Sequence, residues 1–162
     1  MKDELKELLD ECTQELEDID KKISELKPFD KTKNYLTQYA LIKSCGTVEY
    51  VYRSIVADYF SQFAVPQMDT YIESTVRSGS MSAKYDNMRG LLNKFDEAWA
   101  ETFKTNVQNM PDGQIIIAAS NSLVANRHTF AHGGVPSATF KDIKQYYNYV
   151  LKLINEFDAV VK

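Results

Sequence analysis

The sequence predicts an all-α fold: one domain over residues 1–162, a bundle of about five to six helices with long antiparallel members. Three observations carry this. Glycine and proline number 6 and 4 among 162 residues, too few for a turn-rich all-β chain. Apolar residues recur at steps of three and four over long stretches. The breaks are few and sharp: Pro28, Pro66, Ser78–Ser82, Met110–Gly113 and Gly133–Pro136.

The first helix follows from Leu5, Leu9, Cys12, Leu16, Ile19, Ile23 and Leu26, which alternate steps of four and three. Such a seam packs lengthwise on a neighbouring helix, or on a partner chain. The second helix runs from about Thr32 to Phe63, with Tyr39, Ile42, Val48, Val51, Tyr52, Ile55, Val56 and Tyr59 as its apolar positions. Gly46 permits a close backbone approach there. Glu49 and Arg53, four apart, have the spacing of an intrahelical ion pair. After Pro66 a short helix covers about Gln67–Arg77, and Ser78–Ser82 reads as a loop.

The stretch from about Ala83 to Lys94 is helical and continues, after a bend, through Asp96–Val107. Met110-Pro111-Asp112-Gly113 is a turn in which Asp112 can cap the next helix, about Gln114–His132. Gly133 is suited to the left-handed position that ends it. Thr139, with Asp142 three residues on, fits a capping box. The last helix carries Ile143, Tyr146, Tyr147, Val150, Leu151, Ile154, Phe157 and Val161.

Composition excludes several classes. The net charge of −4 makes no overall trap for nucleic acid, so any such binding rests on a local basic cleft. Cys12 and Cys45 lack metal or redox spacing and read as buried free thiols. The charged N-terminus is unlike a signal peptide, and no apolar run nears the ~20 residues of a membrane span. The expectation is a soluble cytoplasmic protein with no membrane partner and no cofactor.

Both histidines lie in one run, Arg127-His128-Thr129-Phe130-Ala131-His132-Gly133. On a wheel at about 100° per residue, Ile115, Ile116, Ala119, Leu123 and Phe130 form a core stripe. A second stripe holds Ile117, Asn121, Val124, Arg127, His128, Ala131 and His132. It carries none of the Lys, Glu and Asp of a solvated face, which points to another chain or a cleft. Arg127 and His132 sit roughly 140° apart on an ideal helix. Either the helix loosens before Gly133, or two copies face each other across a twofold axis.

This set suits RNA cleavage by the substrate's own 2′-hydroxyl. Histidine serves as base or acid near neutrality. Arginine stays charged, binds phosphate through a bidentate fork and stabilises the more anionic transition state. Gly133 and Gly134 let a phosphate or base approach the backbone.

Asn126-Arg127-His128-Thr129-Phe130-Ala131-His132-Gly133 resembles the HEPN ribonuclease signature: an arginine, a polar residue, and a histidine four to six residues further on. Asn121–Asn126, Gly133-Gly134 and the second helix with Lys43, Ser44, Gly46, Glu49 and Arg53 are similar to the RiboL-PSP-type HEPN subgroup. The resemblance implies a HEPN-type bundle that dimerises around a composite active site. It implies metal-independent cleavage to a 2′,3′-cyclic phosphate, in a toxin–antitoxin or phage-defence setting with a possible cognate antitoxin or defence partner. By carry-over Arg127 and His132 are catalytic, with His128 at the supporting polar position. Asn121, Asn126 and Gly133 are candidate substrate contacts. Two departures stand out. The polar position is more often Asn or Asp than His. The tyrosine that is adenylylated in some HEPN toxins is Gly134 here, which implies that this control is absent.

Other readings compete. Arg127 serves equally as a salt-bridge residue, and His132 as a histidine favoured by a helix C-terminus. His128 and His132 at i, i+4 have the spacing of two zinc ligands, though no third lies nearby in sequence. Tyr146, Tyr147 and Tyr149 suit base stacking or ordinary packing. A HEPN-like bundle that binds RNA or protein without cleaving is the alternative to an enzyme.

Overall fold

A computed structural model describes residues 1–162. Seven α-helices and no strand make up the chain: α1 (Asp3–Glu25), α2 (Thr32–Ser61), α3 (Pro66–Ile72), α4 (Tyr85–Phe95), α5 (Glu97–Asn109), α6 (Gly113–Ala131) and α7 (Phe140–Val160). One π-helical turn, Glu73–Arg77, continues α3. The helix count exceeds the expected five to six because the bend at Asp96 is a full break. Asp96 is extended, and its carboxylate accepts the amides of Ala98 (2.7 Å) and Trp99 (3.3 Å), so it starts α5 as an N-cap.

The α1 seam is confirmed from Leu5 to Ile19, all buried, while Ile23 is half-buried. It lies antiparallel on α2: Lys2 meets Asp58 at 2.9 Å near one end, and Lys43 meets Glu15 at 2.8 Å further along. Helix α7 packs against α1, α2, α5 and α6. Its capping box is present as expected, with Thr139 and Asp142 satisfying each other's backbone amides. Tyr52, Phe103 and Phe157 meet edge-on at the centre, with centroids 5.6 and 5.7 Å apart. Tyr147 is buried and its hydroxyl donates to the Leu9 carbonyl at 3.0 Å, so this tyrosine is a packing residue. Tyr146 and Tyr149 are partly buried against the core.

Several expectations are corrected. Tyr39 and Ile42 are exposed; Ala40, Leu41, Ser44 and Cys45 take the buried side of α2 instead. Nothing lies within 4 Å of a Cβ built on Gly46, so no backbone packs there. Asp112 sits at the N-cap position of α6, but its carboxylate pairs with Lys152 on α7 and leaves the helix amides uncapped. Gly113 is the residue the turn requires: a Cβ there would lie 2.0 Å from the Val107 carbonyl oxygen. Both cysteines are buried free thiols, as expected. Burial pushes the Cys45 thiol up to about 12, so it is inert. No helix is long and apolar enough to cross a membrane.

Candidate active site

Helix α6 carries one charged residue other than histidine, Arg127, and no Asp, Glu or Lys. Its buried face is Ile116, Ala119, Ser120, Leu123 and Val124. Ile115, expected in the core, is 52 % exposed, and Val124, expected on the second stripe, is buried. The core face is therefore rotated toward Ser120 and Val124, and Ser120 Oγ donates to the Ala83 carbonyl at 2.6 Å. The outward face holds Gln114, Ala118, Ala125 and His128, with Asn121 half-buried among them. It carries no Lys, Arg, Asp or Glu.

Helix α6 meets α2 along one turn of each. The Cys45 thiol faces the Leu123 carbonyl at 3.6 Å, and one turn further on both helices Arg127 meets Glu49. Arg127 Nη2 lies 3.3 Å from Glu49 Oε2; the arginine side chain is 37 % exposed and the glutamate 11 %. The second oxygen, Oε1, is buried and has no side-chain partner. Burial raises the Glu49 pKa, while the charges of Arg127 and Arg53 and the backbone amide of Ala83 pull it down without prevailing. The expected Glu49–Arg53 ion pair is replaced by another contact: Arg53 Nε donates to the Glu49 backbone carbonyl at 2.7 Å. The carboxylate is left to Arg127.

Sequence reasoning took Glu49 as the partner of Arg53 and missed its contact with Arg127. A signal was present. Cys45, Val48, Glu49 and Tyr52 share one face of α2, and all four are buried. A carboxylate at such a position needs a cation from another element.

His128 and His132 are both exposed, with ring centroids 4.3 Å apart and planes inclined at 58°. Helix α6 stays regular through Ala131, and the His132 amide still donates to the His128 carbonyl at 3.2 Å. The helix therefore does not loosen before Gly133. Arg127 turns inward to α2, and the two histidines remain together on the outer side. Gly133 has φ of 78°. Its amide bonds to Phe130 O (3.0 Å) and that of Gly134 to Thr129 O (2.9 Å), which is a Schellman ending.

Asn126 is occupied within the chain. Its Nδ2 donates to the Ser122 carbonyl at 2.9 Å, and its Oδ1 accepts from the Ala138 amide at 2.9 Å and from Ser137 Oγ at 3.4 Å. It clamps the α6–α7 loop. Beside that loop a hollow of about 130 Å³ is lined by Gln38, Leu41, Val135 and Pro136, among others. Zinc ligation with a third protein donor finds no support, since no group of three or more His, Cys, Asp or Glu forms.

A family model described as RiboL-PSP-HEPN matches residues 7–162, nearly the whole chain. The chain belongs to the RiboL-PSP-HEPN family. No curated protein and no solved structure matches it significantly. Within this HEPN bundle, Arg127, His128 and His132 lie in the last turns of α6 and its C-cap, and Glu49 meets Arg127 from α2.

Proposed function

We propose that this HEPN protein is a metal-independent endoribonuclease acting as a homodimer. The supporting observation is the Arg127–Glu49 pair beside an α6 face whose ionisable groups are two neighbouring histidines. In this reading the RNA phosphate takes up the exposed part of Arg127. A histidine, His132, accepts the 2′-hydroxyl proton as O2′ attacks phosphorus. The P–O5′ bond breaks, the leaving oxygen is protonated by the His128 imidazolium, and a 2′,3′-cyclic phosphate and a 5′-hydroxyl remain. Arg127 offsets the added negative charge on the phosphoryl oxygens.

Arg127 points inward and His132 outward, so two copies meeting through the neutral face of α6 supply the arrangement that one copy lacks. His128, at the supporting polar position, is the acid, and Asn121 and the Gly133 backbone flank the RNA. Asn126 acts on the loop. Glu49 is a positioning residue that holds Arg127 until phosphate competes for it. The setting is a toxin–antitoxin or phage-defence system with a cognate protein inhibitor, inside the cytoplasm.

The test is incubation of purified protein with varied RNAs, with and without EDTA, followed by analysis of the ends. Cyclic-phosphate ends that disappear in Arg127→Ala and His132→Ala support the reading. Unchanged cleavage in both folded variants overturns it. A second reading, a HEPN module that binds RNA or protein without cleaving, is favoured by the net charge of −4 and by the engagement of Arg127 with Glu49. It requires every RNA to remain intact.

A further inference from the structure

We propose that His128 and His132 form a two-nitrogen chelate for a divalent transition-metal ion, zinc, nickel or copper, and that its occupancy shuts the active site. The chelate rests on geometry. The shutting-off rests also on the nuclease reading above.

The two rings stand at i, i+4, on one side of α6, with centroids 4.3 Å apart. Zinc binds imidazole nitrogen at about 2.0–2.1 Å in tetrahedral sites, so two ligand nitrogens stand about 3.3 Å apart. Rings at this separation bring one nitrogen each to that spacing by side-chain rotation alone. The side-chain hydrogen bonds of this turn use Asn126, Arg127 and Thr129, and both imidazoles open to solvent.

The electrostatics favour a cation here. The site lies in the last turn of α6, the negative end of the helix dipole. Arg127, the nearest fixed cation in sequence, is paired with Glu49. The donors are neutral nitrogens without a carboxylate, so magnesium and calcium do not suit them, and copper binds more tightly than nickel or zinc. No third protein ligand joins the pair. The remaining positions fall to water, and the ion exchanges freely, as a regulator does and a structural metal does not. Bound metal occupies the imidazole lone pairs, so neither ring accepts the 2′-hydroxyl proton.

Untagged, chelator-stripped protein is titrated with zinc, nickel, copper and magnesium by calorimetry. The chain has two histidines, so broadening of their ring proton signals by nickel or copper identifies the site directly. The expected result is saturable binding of up to one ion per chain for the three transition metals and none for magnesium. Each of His128→Ala and His132→Ala weakens it at least tenfold; both positions are exposed, so the core is untouched. Absence of saturable binding, or unchanged binding in both variants, overturns the chelate. On RNA, zinc suppresses wild-type cleavage at least tenfold and EDTA restores it. Metal binding without any cleavage keeps the chelate and removes the nuclease reading. Cleavage that persists with zinc bound keeps the nuclease and overturns the shut-off.

Discussion

Arg127 Nη2 lies 3.3 Å from Glu49 Oε2, and this contact joins the last turns of α6 to the middle of α2. The two residues are 78 positions apart in sequence. The glutamate is the more buried partner, so it is the fixed point and the arginine the adjustable one. Removing it frees the guanidinium to turn into solvent. Glu49→Ala is expected to lower kcat/KM for RNA by about 10- to 100-fold, the order expected when a catalytic group is displaced by about 1 Å. Single-turnover cleavage with a circular-dichroism check on folding measures this. Wild-type rates in a folded Glu49→Ala protein refute the positioning role.

The same carboxylate confers a pH dependence. Burial raises the folded pKa of Glu49 above its unfolded value, against the pull of Arg127 and Arg53. The folded protein therefore holds this proton more tightly than the unfolded chain. The contribution to stability is fully present below the unfolded glutamate value of about 4.3 and is lost as pH rises through the folded value. Glu49→Gln cannot ionise, so its melting temperature gains on that of the wild type as pH rises across this window. Parallel melts at stepped pH test this, and a constant or falling difference contradicts it.

The bundle was legible because its signals are local. The α1 seam, the capping box of Thr139 and Asp142, and the left-handed Gly133 each depend on residues within a few positions of one another. The His128–His132 pair is local too, one turn apart. Glu49 was not legible as the partner of Arg127, because the spacing to Arg53 offered a local explanation for both charges. The packing of α6 on α2 decided otherwise. Ile115 misled for a related reason: it lies in the first turn of α6 at the edge of the core, where apolar character does not ensure a neighbour. Asn126 sits inside the signature, yet its polar atoms hold the loop before α7, a contact that no spacing rule announces.

The helix end that carries His132 depends on two glycines. A Cβ on Gly134 would lie 2.7 Å from Thr129 Cγ2 and 3.0 Å from the Thr129 carbonyl oxygen. Gly134→Ala is expected to cost about 1–3 kcal/mol by overpacking. At Gly133, φ of 78° strains any side chain, so Gly133→Ala costs about 1–2 kcal/mol, and Gly133→Asn less, since Asn tolerates this region. Denaturant unfolding of the three variants checks the order. Equal stability of Gly133→Ala and Gly133→Asn contradicts it.

Asn126→Ala removes the acceptor of the Ala138 amide. The α6–α7 loop then opens more often, and hydrogen exchange at Ala138 accelerates, with a global loss of about 1 kcal/mol. RNA binding separates this role from a substrate contact. If Asn126 acts on the loop, affinity falls in step with loop opening, and stapling the loop restores it. A loss of affinity with unchanged exchange at Ala138 makes Asn126 a direct contact.

The inward Arg127 and outward His132 give the proposed composite site a test that one chain cannot mimic. Arg127→Ala retains His132, and His132→Ala retains Arg127. Suppose the working pair draws its arginine from one copy and its histidine from the other. Each homodimer of a variant is then dead at both sites, while a mixed dimer has one dead site and one whole site. Random reassortment makes half the dimers mixed, so about one quarter of wild-type cleavage returns on mixing. If arginine and histidine of the same chain work together, no dimer is whole and mixing restores nothing. The measurement is RNA cleavage after the two variants are co-unfolded and refolded, with light scattering to confirm dimers. Recovery near one quarter establishes the shared site; none, with dimers present, assigns catalysis to single chains and requires α6 to rearrange on binding RNA.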